Sequence, residues 1–164
     1  MVFGFRLRFR RPRPSTIRPL RVDAAEGCAA IHRTAFAHPW SAGEFASLLA
    51  SPTTLASAAL DPASGRLRGF ALSRLAADEA EILTVAVDPT LRGHGVGRDL
   101  MREHLARAAL SGARAIFLEV DPDNVAAVAL YRRFGFRDVG RRDGYYRRAE
   151  GQSAAAIVMR KDLA

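Results

Sequence analysis

Cysteine occurs once in this chain, tryptophan once, and long apolar runs not at all. With Cys28 alone, no disulfide closes within the chain and no multi-cysteine metal site forms. Its surroundings, AAEGCAAIHRTAF, have the spacing of an amphipathic helix, so the thiol is expected in the core. No apolar stretch nears the roughly 20 residues that cross a bilayer as a helix. Arg6 to Arg13 are not followed by the apolar segment of a secretory signal. These absences point to a reducing cytoplasm and to no membrane partner. His32, His38, His94 and His104 lack paired ligand spacing, so no metal is expected.

Acidic residues are missing from residues 1–21, which hold seven arginines. With those seven set aside, residues 22–164 carry 18 basic and 17 acidic side chains, so the net charge of +8 belongs almost wholly to the N-terminal segment. Prolines 12, 14 and 19 oppose regular structure there. The reading is a basic, disordered arm over residues 1–15 followed by a single domain over residues 16–164. The arm is either an electrostatic tether making weak contact with RNA or the ribosome, or a passive extension. An apolar content of 49% in 164 residues suffices for one sizeable core.

Hydrophobic periodicity predicts the elements in turn. STIRPLRVD reads as a first strand, with Asp23 capping a helix that runs to about Phe36. Ser41 and Glu44 have capping-box spacing, and Trp40 and Phe45 that of a hydrophobic staple, for a helix from about Ala42 to Ala50. TTLASAAL and LRGFALSRLA form a hairpin around DPASGR. EAEILTVAVDP is the most apolar strand and is expected at the centre. A helix follows from about Val96 to Leu110, with Leu100, Met101, Leu105 and Ala108 on one face and Gly112 ending it. RAIFLEVD is a strand, NVAAVALYRRFG a helix stopped by Gly135, and two strands close the chain. Hairpins mixed with crossovers give an α/β domain with a mixed sheet of six to seven strands and four helices.

DPTLRGHGVGRDL, between the central strand and its helix, places Gly93, Gly95 and Gly97 within five residues. Glycines there bare backbone N–H groups at the positive end of a helix dipole, a seat for phosphate. The Gly-Lys-Ser/Thr ending of a nucleotide-binding P-loop is absent. A dinucleotide fingerprint needs glycine where Leu100 stands.

The pattern Arg92-x-x-Gly95-x-Gly97 after VAVDP resembles the acyl-coenzyme A loop of the GCN5-related N-acetyltransferases (GNAT), and the element order from about Thr16 to Lys161 is similar to theirs. HPWS, FLEVDPDNVAAVALYRRFGF and GYYRR are similar to the RimI-type ribosomal-protein alanine N-acetyltransferases within that family. The resemblance implies the GNAT-type fold and acetyl-CoA as co-substrate. It implies a protein N-terminus, that of a small-subunit ribosomal protein, as acceptor and partner. The amides of Gly93, His94, Gly95, Val96, Gly97 and Arg98 would cradle the diphosphate beside Arg92. The backbone of Val85, Ala86 and Val87 would pair with the pantetheine arm.

Asn124 caps a helix, contacts the pantetheine arm, or does both. Glu119 alone reads as a strand acid on a solvated face or in a cleft. By resemblance it is the general base, and burial would raise its pKa and suit it to that task. Tyr131 alone reads as a core aromatic; by resemblance it supports the departing thiolate. Trp40, Tyr145 and Tyr146 are the expected acceptor contacts, with one of the two alternating tyrosines facing the cleft. Arg147 replaces the proline that usually follows such a tyrosine pair, and Ser153 and Ala154 replace an acidic pair, for which Glu150 is a nearby substitute. Two other readings are an acetyltransferase of the same fold acting on a small amine, and a non-catalytic coenzyme A-binding or ribosome-tethered module.

Overall fold

The computed structural model describes residues 14–147 and 153–163, and within the last two strands the side chains of residues 143–147 and 153–154 fall outside the description. The arm through Arg13, Glu150, and the orientation of Tyr145 and Tyr146 therefore lie outside the described residues.

Among the described residues, seven strands form one sheet: β1 (Thr16–Pro19), β2 (Thr54–Leu60), β3 (Leu67–Ala76), β4 (Glu79–Val87), β5 (Ala115–Val120), β6 (Arg137–Arg147) and β7 (Ser153–Asp162), in spatial order β1-β2-β3-β4-β5-β7-β6. Four α-helices among the described residues accompany them: α1 (Ala25–Arg33), α2 (Ala42–Ala50), α3 (Val96–Leu110) and α4 (Val125–Arg133). Neighbouring strands are antiparallel except β4 and β5, which the α3 crossover makes parallel. The most apolar strand, β4, is central as expected.

Each face of the sheet carries a helix pair. Met101, Leu105 and Ala108 of α3 and Val128 and Tyr131 of α4 pack on Ile116, Leu118 and Val120 of β5. Cys28 and Ile31 of α1 and Phe45 of α2 pack on Phe70 and Leu72 of β3 and Ala86 of β4, on the other face. The capping box of α2 forms fully: Ser41 Oγ accepts from the Glu44 N–H at 3.2 Å, and Glu44 accepts from the Ser41 N–H at 2.7 Å.

The first strand and first helix depart from expectation. β1 ends at Pro19, and residues Val22–Ala24 make one 3-10 turn. Asp23 lies inside that turn, and the residue before α1 is Ala24, with no side-chain cap. α1 stops at Arg33 rather than near Phe36: Thr34 donates its hydroxyl to Ile31 O at 2.6 Å, and Pro39 bars a helical residue 38. Ser15 Oγ accepts from Arg68 Nη1 at 3.3 Å, so the last residue assigned to the arm is fastened to β3.

Candidate active site

β4 leads into the glycine loop through a one-turn 3-10 helix, Pro89–Leu91, in which Asp88 accepts from the Thr90 N–H at 3.0 Å and the Thr90 hydroxyl at 2.7 Å. Gly93 and Gly95 have φ of 75° and 86°. Gly95 is the N-cap of α3 and offers no side chain to the first amides of a 15-residue helix. Those N–H groups face outward at the positive end of the dipole. A cleft of about 650 Å³ opens there, between Gly93, His94, Gly95, Gly97 and Arg98 of the loop and Ala126, Ala129, Leu130 and Arg133 of α4. Arg92 donates Nε to Val87 O at 3.4 Å, and exposed His94 holds Nδ1 2.9 Å from Arg92 O. Val96 is buried against Leu100 and the end of β4, so it contributes only its backbone to this edge. Sequence reasoning missed the α4 wall. Its signal was the run of small residues and an arginine at positions 126, 129 and 133, one helical stripe.

The sheet divides beside this cleft. β4 and β5 pair from Glu79↔Ala115 to Ile82↔Leu118 and no further, while β4 remains paired with β3 through Gly69↔Val87. Asp88 N–H donates to Arg68 O at 2.8 Å. By the two-residue alternation of a strand, the peptide groups of Ala86 also face β3, and those of Val85 and Val87 face the gap. Two of the three predicted backbone residues thus turn their peptide groups toward the gap, where Val87 O accepts from Arg92 Nε. Ala86 instead packs its methyl against α1 and α2.

Glu119 is the first residue of β5 beyond the last rung of that pairing. Ile116, Leu118 and Val120 fill the core under α3 and α4, so Phe117 and Glu119 point to the opposite face. The Glu119 side chain is 18% exposed, and Arg142 Nη1 donates to its Oε1 at 3.0 Å. A second cleft of about 320 Å³ adjoins it, walled by Arg74, Glu81, Phe117 and Val158 among others. Glu81 there is paired with Arg74 at 2.8 Å. Tyr131 is buried on the other side of β5, its ring edge-on to Phe136 at 5.7 Å between centroids. Glu119 and Tyr131 therefore lie on opposite faces of the sheet.

Asn124 caps α4, accepting from the Ala127 N–H at 3.2 Å. Trp40 belongs to an aromatic cluster. It stacks on His32 at 5.0 Å and touches Phe45 at 5.5 Å, and Phe36 also stacks on His32, at 4.1 Å. His32 Nδ1 accepts from the backbone N–H of Trp40 at 3.1 Å, and burial holds its pKa below the ordinary value although Glu44 pulls it up. The staple is thus present, enlarged by a histidine that sequence reasoning did not place. Cys28 is fully buried, and burial pushes its thiol up to about 12. Among the described residues, no group of three or more His, Cys, Asp or Glu side chains is placed to hold a metal.

A sheet split between its two parallel strands, beside an uncapped glycine-started helix, is the architecture of a coenzyme A-dependent acyltransferase. Residues 25–136 match the Acetyltransferase (GNAT) family, and the chain belongs to that family. It is 39% identical over 155 residues to the N-alpha-acetyltransferase RimI of Mycobacterium tuberculosis, covering 91% of this chain and 93% of that one. The crystal structure of the ribosomal-protein-S18-alanine N-acetyltransferase from Escherichia coli superposes with a TM-score of 0.83 at 31% identity, over 92% of this chain and 94% of that one. Arabidopsis thaliana NAA60, solved in complex with acetyl-CoA, shares the fold with a TM-score of 0.76 at 24% identity, over 90% and 97% of the two chains. The protein is an acetyl-CoA-dependent N-acetyltransferase.

Proposed function

We propose that this enzyme acetylates the N-terminal alanine of a small-subunit ribosomal protein. The observation that carries this reading is the likeness, over nearly the full length of both chains, to the E. coli enzyme acting on the alanine of ribosomal protein S18. The geometry suits the reaction. The diphosphate of acetyl-CoA binds the amides from Gly93 to Arg98, with Arg92 and Arg133 adding positive charge. The pantetheine arm fills the gap in the sheet and pairs with Val85 and Val87. One of their N–H groups stabilises the thioester oxygen as it gains charge. Asn124 adds a side-chain contact to the same arm.

The acceptor amine enters from the Glu119 face. Its nitrogen forms the amide bond to the acetyl carbon, the carbon–sulfur bond breaks, and the amine proton passes to Glu119. Arg142 holds that carboxylate in place. Tyr131, on the coenzyme side, donates a hydrogen bond to the thiolate. Full proton transfer from an ordinary tyrosine to a thiolate is uphill by roughly 2 kcal/mol, so a hydrogen bond is the role its chemistry favours. An α-amine with pKa near 8 is roughly one-tenth neutral at pH 7, against under a thousandth for lysine, so a modest base suffices. Trp40, Tyr145 and Tyr146 are assigned to the acceptor side.

The test is mass spectrometry of ribosomal-protein N-termini from cells with and without the gene, together with steady-state assays on an alanine-initiated peptide. Glu119→Gln is expected to lower kcat by about 10²–10⁴ while the dissociation constant of coenzyme A stays within about twofold. Wild-type turnover in that variant removes Glu119 from the mechanism. Unchanged N-termini refute the substrate.

A further inference from the structure

Among the described residues, one buried side-chain polar atom has no hydrogen-bond partner: the hydroxyl of Thr84. Its residue is 6% exposed. Leaving a buried hydroxyl unpaired is costly, and native proteins seldom do so without a use for the group. Thr84 stands at the split. The last β4–β5 rung is Ile82↔Leu118, so Thr84 is two residues beyond it on β4 and Glu119 is one beyond it on β5. Between Ile82 and Thr84 the register with β3 slips, Ser73 facing Ile82 and Leu72 facing Thr84. Leu83 is the extra residue of a bulge, and a bulge exchanges the faces of the side chains that follow it. Ile82 lies in the core under α3 and α4, whereas Leu72, the cross-strand partner of Thr84, lies in the core under α1 and α2. Thr84 consequently faces the same side of the sheet as Glu119, the side from which the acceptor arrives.

We propose that Thr84 is an acceptor-positioning residue: its hydroxyl oxygen accepts a hydrogen bond from an N–H of the incoming α-amine and aims the nitrogen lone pair at the acetyl carbon. This rests on the reading of the enzyme as an N-terminal acetyltransferase. Thr84 takes no proton; that role belongs to Glu119. The contact forms on binding and strengthens as the nitrogen gains positive charge, so its loss falls on acceptor binding and on kcat.

Thr84→Val removes the hydroxyl and keeps the branched shape; Thr84→Ser keeps the hydroxyl. Both are assayed with an alanine-initiated peptide and acetyl-CoA, with thermal midpoints measured without ligand. For Thr84→Val, the acceptor KM is expected to rise about tenfold and kcat to fall a few-fold, with coenzyme A affinity little changed and the midpoint holding or rising by a few degrees. Thr84→Ser is expected to restore an acceptor KM within about threefold of wild type. Wild-type kinetics in Thr84→Val overturn the proposal, as does a lowered midpoint, which exposes a structural partner for the hydroxyl. Failure of Thr84→Ser to restore the KM overturns it as well. A wild-type enzyme that transfers nothing to the peptide overturns the N-terminal reading and this inference together. An active wild type with indifferent variants overturns this inference alone.

Discussion

His104 offers a sharp test of how α3 is fixed to the sheet. It is fully buried, with Nδ1 2.8 Å from Ser57 Oγ on β2 and Nε2 2.8 Å from Ser73 Oγ on β3. Arg107, one turn further along α3, donates to Ser57 Oγ and to Ala56 O at 2.6 Å each. A neutral imidazole has one donor and one acceptor nitrogen, and each serine can play the complementary part. Burial first, and the nearby Arg107 guanidinium second, lower the His104 pKa from 6.5 to about 3. Between those values the unfolded ring takes a proton that the folded ring refuses. The stability gained from the neutral ring is complete above pH 6.5 and is lost as pH falls toward 3. From pH 7 to pH 5 the loss is about 2 kcal/mol, or about 4–8 °C in the melting midpoint for a domain of this size. His104→Gln retains hydrogen bonding without titrating in this range. At pH 7 it is expected to cost about 1–3 kcal/mol through imperfect filling. By pH 5 the gap between wild type and variant should shrink by about 2 kcal/mol. His32, also lowered by burial, contributes equally to both proteins and cancels. The carboxylates of Glu44, Asp61 and Asp88, all held below their usual values by hydrogen bonds, act only at lower pH. Urea titrations at half-unit intervals give both curves. Parallel curves between pH 7 and 5 refute the argument.

At Gly95 the φ of 86° makes Gly95→Ala cost about 1–2 kcal/mol of backbone strain, and the added Cβ meets only the flexible tip of Arg98, at 3.3 Å. Coenzyme A affinity measured by calorimetry should fall about five- to tenfold with helix content unchanged by circular dichroism; unchanged affinity would remove the loop from the binding site. Cys28, fully buried with its thiol pushed up to about 12, should not react with an aromatic disulfide reagent at pH 8 until denaturant is added, and then one thiol per chain should titrate. Rapid labelling of the native protein would show that the α1–α2 face opens.

Features written in short stretches of chain were legible. Ser41 and Glu44 are three residues apart, so their reciprocal bonds need no tertiary partner, and the bounds of α2 came out as predicted. The glycine turn from Gly93 into α3 was legible too, because strand, glycines and helix follow one another directly along the chain. Asp23 misled because its capping value depends on where the chain turns, and Pro19 ends β1 four residues earlier than the apolar pattern suggests. His104 gave a faint signal: it falls on the stripe of Leu100, Met101, Leu105 and Ala108, where a polar residue must find partners. Those partners, Ser57 and Ser73, are 47 and 31 residues away, and no local pattern links them. Arg142 was invisible likewise, since its bond to Glu119 depends on β7 lying between β5 and β6.

The slip at Leu83 and the glycine at position 69 explain why the split lies where it does. A regular β4 would keep one parity, so Thr84, like Ala80 and Ile82, would face α3 and α4. Val85 and Val87 would then point toward α1 and α2. The extra residue reverses this and sends Val85 and Val87 into the cluster with Val96, Leu100 and Leu91. The side chains that anchor the start of α3 thus belong to the residues whose peptide groups line the gap. Opposite Val87 stands Gly69, where a Cβ would come within 2.8 Å of Ala86 O. That approach requires glycine, and it holds the end of β4 tightly to β3 on the side away from β5. Held by β3 on one edge and by the start of α3 on its face, the end of β4 cannot swing back to re-pair with β5. The gap between the ends of β4 and β5 is therefore fixed by the scaffold itself.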